Sequence, residues 1–115
     1  MIETTLIKYL SSKISQGVYA ERPDNVPDEY VLIQKTGSST DNLITTATIA
    51  IQSIVNAKTK SKLDAATLNE TIKAAMIGMT ERDDIARVRL NSDYDYTDDR
   101  TREYRYQAVY QITHY

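Results

Sequence analysis

Four carboxylates crowd the stretch Asn91-Ser92-Asp93-Tyr94-Asp95-Tyr96-Thr97-Asp98-Asp99, and closely spaced oxygens are what a hard divalent cation requires. A helix–loop–helix calcium loop starting at Asp93 needs glycine at position six, where Asp98 stands, and glutamate at position twelve, where Tyr104 stands. Starting at Asn91 the same positions hold Tyr96 and Arg102, so both registers fail. The segment reads instead as a solvated turn built of residues that favour turns. Lys35-Thr36-Gly37 matches one element of a serine acyl-transfer site, but no lysine follows a serine at the spacing of the nucleophile motif, and Ser-Asp-Asn is missing. His114 is the only histidine and there is no cysteine, so histidine-rich and thiolate metal sites are excluded. The only glycines are Gly17, Gly37 and Gly78, too scattered for a phosphate-cradling loop. No catalytic, cofactor-binding or metal-binding residue is expected, and the chain is not expected to be an enzyme.

Arginine and tyrosine offer a different chemistry. Arg100-Thr101-Arg102-Glu103-Tyr104-Arg105-Tyr106 interleaves cations with aromatic rings, as single-strand nucleic-acid platforms do. Asp93, Asp95, Asp98, Asp99 and Glu103 surround these residues, however, and phosphate binding needs local positive charge. Contact between protein copies fits better. Tyrosine and arginine are enriched at interfaces, and guanidinium pairs bidentately with carboxylate. Arg87, Arg89, Arg102 and Arg105 of one copy are expected to meet the Asp93, Tyr94, Asp95 and Tyr96 loop of the next.

These residues must be held by a scaffold, and the patterning suggests one. Ile2, Leu6, Leu10 and Ile14 recur every four residues, which predicts a helix over Ile2–Gln16 closed by Gly17. Val18-Tyr19-Ala20 forms a short strand, and Pro23 and Pro27 keep Glu21–Glu29 in a loop. Tyr30–Thr36 is a strand, Gly37–Asn42 a loop, and Leu43–Val55 a second strand with Leu43, Ala47, Ile49, Ile51 and Val55 on one face. Ser61 and Asp64 predict a capped helix over Ser61–Ile77, ended by Gly78. Asp84–Leu90 is a strand with Ile85, Arg87 and Arg89 on one side, and Asn91–Arg100 is a polar loop. Thr101–Tyr115 alternates as one long final strand, with Tyr104, Tyr106, Ala108, Tyr110 and Ile112 facing the helices and Arg105, Gln107 and Gln111 facing away. The order α-β-β-β-α-β-β predicts an α+β domain, an antiparallel sheet of four to five strands with two helices on one face.

The 115 residues suit one domain over 1-115. Net charge is −2 and charged residues make up 26%, which gives no ground to expect a nucleic-acid scaffold or an anionic membrane partner. Nothing in the first residues resembles a signal peptide and no apolar run is long enough to span a bilayer, so a cytosolic product is expected. Tyrosine supplies all nine aromatic residues, six of them at or beyond Tyr94, which concentrates interface-type side chains toward the second half.

Taken in order, these pieces resemble the tail-terminator (tail-completion) proteins of long-tailed bacteriophages. The resemblance rests on the amphipathic first helix, the Val-Tyr and proline segment, Tyr30-Val31-Leu32-Ile33-Gln34-Lys35-Thr36-Gly37, Ala50-Ile51-Gln52-Ser53, one long helix, Leu90-Asn91-Ser92-Asp93-Tyr94, and Tyr104-Arg105-Tyr106-Gln107-Ala108-Val109-Tyr110. It implies a virion structural protein of the tail or neck, assembled in the host cytoplasm. Such proteins form a homo-oligomeric ring, commonly a hexamer, between tail tube protein and head–tail connector protein. The ring ends tube polymerisation, offers the head a docking surface and lets DNA through without specific binding. The alternatives are a head-completion or connector ring of the same neck, and a small non-viral nucleic-acid-binding domain.

Overall fold

The structure is a computed structural model that describes all residues from Met1 to Tyr115. Its elements are α1 (Ile2–Lys13), β1 (Gly17–Tyr19), β2 (Glu29–Asp41), β3 (Ile44–Asn56), α2 (Lys62–Ile77), a 3-10 turn (Gly78–Glu81), β4 (Ile85–Asp95) and β5 (Glu103–His114). One five-stranded sheet runs in the order β1-β2-β3-β5-β4. The chain is α+β, in the expected order of elements.

The sheet is mixed, not wholly antiparallel as expected. β1 pairs with β2 in parallel, Gly17 opposite Tyr30 and Tyr19 opposite Leu32, while the other pairings are antiparallel. A parallel pair normally needs a long crossover. Here β1 has only three residues, so the proline-containing loop Ala20–Asp28 spans the return. Gly17 is therefore the first residue of β1 and not a helix cap. The helix ends earlier, where Ile14 turns extended (φ −129, ψ 160) and its N–H still reaches the Leu10 carbonyl.

The central hairpin also exceeds expectation. Gly37–Asp41 continues β2 as strand, and only Asn42 and Leu43 form the turn. Both have positive φ, 51 and 68, the signature of a two-residue type I′ hairpin whose twist matches the strands it joins. Asparagine tolerates this conformation; leucine does so at a cost. Leu43 consequently leaves the core face assigned to it and stands 89% exposed at the tip. A bulge between Lys35 and Gly37 resets the register beforehand.

α2 starts as the sequence indicates. The Ser61 hydroxyl accepts from the Asp64 N–H at 3.3 Å, and the Asp64 carboxylate accepts from the Ser61 N–H at 2.8 Å. Both helices lie on one face of the sheet. Leu6, Leu10, Leu68, Ile72 and Met76 pack against Val31, Ile33, Ala47, Ile49, Ile51, Ala108, Tyr110 and Ile112 in one apolar cluster. Ile85 belongs to this cluster with Val88 packed against it, although strict alternation would put them on opposite faces. A bulge between Ile85 and Arg87 supplies the extra residue, and a second lies between Leu90 and Ser92.

Candidate functional site

Strand alternation sorts the candidate interface residues onto two faces with opposite fates. Asn91–Asp95 is strand, the end of β4, and not part of the polar loop expected over Asn91–Arg100. Within it Asp93 and Asp95 point to the helix side, opposite Ala108 and Tyr106 of β5. Lys73 donates to Asp93 at 2.6 Å and Asn69 donates to it at 2.7 Å. Burial raises the Asp93 carboxyl, and these two hydrogen bonds more than offset it, leaving the group below the usual carboxylate range. Asp95 accepts from Lys62 at 2.8 Å and from the Thr97 N–H at 2.9 Å, which holds its carboxyl at about 2. Lys62 also lies 5.9 Å from the centre of the Tyr104 ring. These two aspartates, expected to await another copy's arginines, instead clamp α2 to β4. Asp98 is likewise occupied, by Arg100 of its own turn.

The opposite face, free of helices, carries a hydrogen-bonded chain that sequence reasoning missed. Its anchor is Glu103, 6% exposed. The Tyr30 hydroxyl donates to its Oε2 at 2.8 Å, while Arg22 Nη1 and Arg105 Nη2 donate to its Oε1 at 3.0 and 2.9 Å. Burial, then the hydrogen bond and charge of Glu103, push the Tyr30 hydroxyl up to about 12. Arg22 comes from the loop between β1 and β2, which covers Tyr30 completely. From Arg105 the chain continues: Nη1 donates to Gln52 Oε1 (3.3 Å), Gln52 Nε2 donates to Gln107 Oε1 (2.9 Å), and Gln107 Nε2 donates to the Tyr94 hydroxyl. All three link in one sense and polarise each other. They end on Tyr94, whose ring meets Tyr96 edge-on with centroids 5.9 Å apart. The only sequence signals for this chain were Gln52 in β3 and Arg105 and Gln107 on the polar face of β5.

Arg87 and Arg89 occupy the same open face beside Thr113 and Gln111, exposed and without an ion pair or side-chain hydrogen bond. Arg102 stands apart in the turn before β5 with φ 57, also exposed. Arg87, Arg89, Tyr94 and Arg105 are thus brought onto one surface, with Tyr96 edge-on to Tyr94 at its margin; Asp93 and Asp95 are turned away, and Arg102 sits at the end of the molecule. The strand faces fall as expected for β5: Ala108, Tyr110 and Ile112 are buried under the helices, and Arg105, Gln107 and Gln111 face away. Burial raises the Tyr110 hydroxyl strongly.

No set of three or more histidine, aspartate or glutamate side chains converges as metal ligands would. A shallow pocket of about 420 Å³ between Lys58, Asp98, Arg102 and Tyr104 is lined mainly by polar residues. No protein-family model matches the sequence, and no curated protein is significantly similar to it.

Proposed function

We propose that this chain is a phage virion structural protein whose copies form a ring on the head-proximal end of the tail tube, ending tube growth and presenting the head-docking surface. One observation carries the reading: the sheet is sealed by helices on one face only and has unpaired edges on both sides. β1 covers β2 only as far as Leu32, so the long outer edge from Ile33 to Asp41 has no neighbour, and the outer edge of β4 has none. Such an arrangement supports a head-to-tail contact, in which one copy's edge meets a different edge of the next and rotation closes a ring. The bulges of β4 twist that edge and would select a matched partner over indiscriminate pairing.

The contact residues follow from what remains exposed at one end of the molecule. Tyr94, Tyr96 and Arg102 stand at the end of the molecule formed by the β4–β5 turn and face the tube or the connector in this reading. Asp93 and Asp95 are not among them, because α2 already occupies both. The test is assembly with purified tail tube protein. Added chain should shorten the tubes and appear as a cap at one end by electron microscopy, and Tyr94→Ala/Tyr96→Ala should abolish capping. Tubes of unchanged length with the chain bound to connector rings would favour a head-side neck protein, and a stable monomer that binds neither would overturn both.

A further inference from the structure

The net charge of −2 is unevenly placed, and two free arginines stand side by side on β4. On the open sheet face the strand residues include three arginines, Arg87, Arg89 and Arg105, while the acids are Glu103, already held by two arginines, and Asp41 at the hairpin tip. Asp93 and Asp95, which appear in sequence to cancel these arginines, lie on the far side of the sheet with lysine partners. The side chains nearest Arg87 and Arg89 on this face are Thr113 and Gln111, which can hydrogen-bond, followed by Val109 and Ser92. Arginine, glutamine, threonine and tyrosine are the side chains that contact phosphate and sugar. Base stacking is not what the aromatics offer: Tyr94 and Tyr96 are turned onto one another and the Tyr94 hydroxyl is tied to Gln107.

We infer that the open sheet face is a sequence-independent contact surface for the phosphate backbone of duplex DNA, centred on Arg87 and Arg89. The inference rests on where the charges sit and not on the ring, so a chain that never assembles can still confirm it. Two free guanidiniums give a weak, salt-sensitive grip that lets the duplex slide; the expected slope of log K against log salt is about −2, from roughly 0.9 per phosphate neutralised.

The experiment is fluorescence anisotropy of a labelled duplex of about 20 base pairs, titrated with the full chain from roughly 20 mM salt upward, where such contacts are strongest. Binding that is indifferent to base sequence and has this slope is expected. Arg87→Gln/Arg89→Gln should weaken it about tenfold or more and flatten the slope, while Lys8→Gln/Lys60→Gln, away from this face, should leave it intact. Equal binding by the Arg87→Gln/Arg89→Gln variant, or no binding at the lowest salt, overturns the inference. So does tighter binding to single strands than to the duplex. Amide shift mapping on the unaltered chain guards against a misfolded variant: shifts on β4 and β5 open-face residues support the inference, and shifts confined to α1 and α2 refute it.

Discussion

Glu103→Ala should be among the most destabilising single changes in this chain, and its cost can be built from the three groups it strands. The Tyr30 hydroxyl, donating at 2.8 Å from a residue with no exposed surface, would lose its only partner. A buried donor left unsatisfied costs about 1–3 kcal/mol. Arg105, with an 18% exposed side chain, would keep its Gln52 contact but lose its counter-charge, adding about 1 kcal/mol. Arg22 is half-exposed and rehydrates, so it adds little. The sum is about 3 kcal/mol, which for a domain of this size lowers Tm by about 12 °C. Tyr30→Phe alone should cost about 1.5 kcal/mol, since it removes one hydrogen bond to a charged group and strands nothing neutral. In the Tyr30→Phe background, Glu103→Ala should cost about 2 kcal/mol less than in the parent, because the stranded hydroxyl no longer exists. Urea unfolding of the four proteins of the cycle measures each quantity. A Glu103→Ala cost below about 1 kcal/mol, or strict additivity with Tyr30→Phe, would refute the view that a buried carboxylate organises this face.

Further predictions follow from local geometry. Leu43→Gly should stabilise the chain by about 1 kcal/mol, since glycine takes the positive φ without strain; an unchanged or lowered urea midpoint would count against the type I′ turn. Ser61→Ala should lose about 1 kcal/mol with the capping box of α2, read by thermal unfolding. Asp95 has a folded carboxyl near 2, depressed below its ordinary value of 3.8, so its contribution is present above about pH 4 and is lost as pH falls toward 2. Asp95→Asn should therefore flatten the acid limb of the stability curve in that window and leave the dependence near neutrality unchanged.

Local signals in the sequence located most of the elements. Ser61 and Asp64 mark the start of α2 because a capping box is a contact between near neighbours, and the alternation of β5 survives because that strand is internal, with one face under the helices. Gly37-Ser38-Ser39-Thr40-Asp41 misled, since turn-forming residues tolerate an extended ladder when a tighter turn lies beyond them. The bulges of β4 could not be read, because alternation assumes an unbroken ladder, and without them Ile85 falls on the wrong side. The largest gap concerns charge. Arg22, Tyr30 and Glu103 meet across more than seventy positions of sequence, and only the fold brings them together. Asp93 and Asp95 looked like neighbours of the arginines along the chain, yet the pleat puts a whole sheet between them.

The place of β5 between β3 and β4 has a consequence for how the molecule comes into being. Chain synthesis delivers the strands in numerical order, so β3 emerges with one flank bare and β4 emerges with no neighbour at all. Neither is completed until β5 slides between them, pairing residues as distant as Thr45 and His114. Closing loops of that length is entropically slow, and such topologies fold later than helix-rich ones. Until that insertion the nascent chain shows two open flanks to its surroundings, which makes the period before β5 arrives its time of greatest exposure to aggregation and to chaperones.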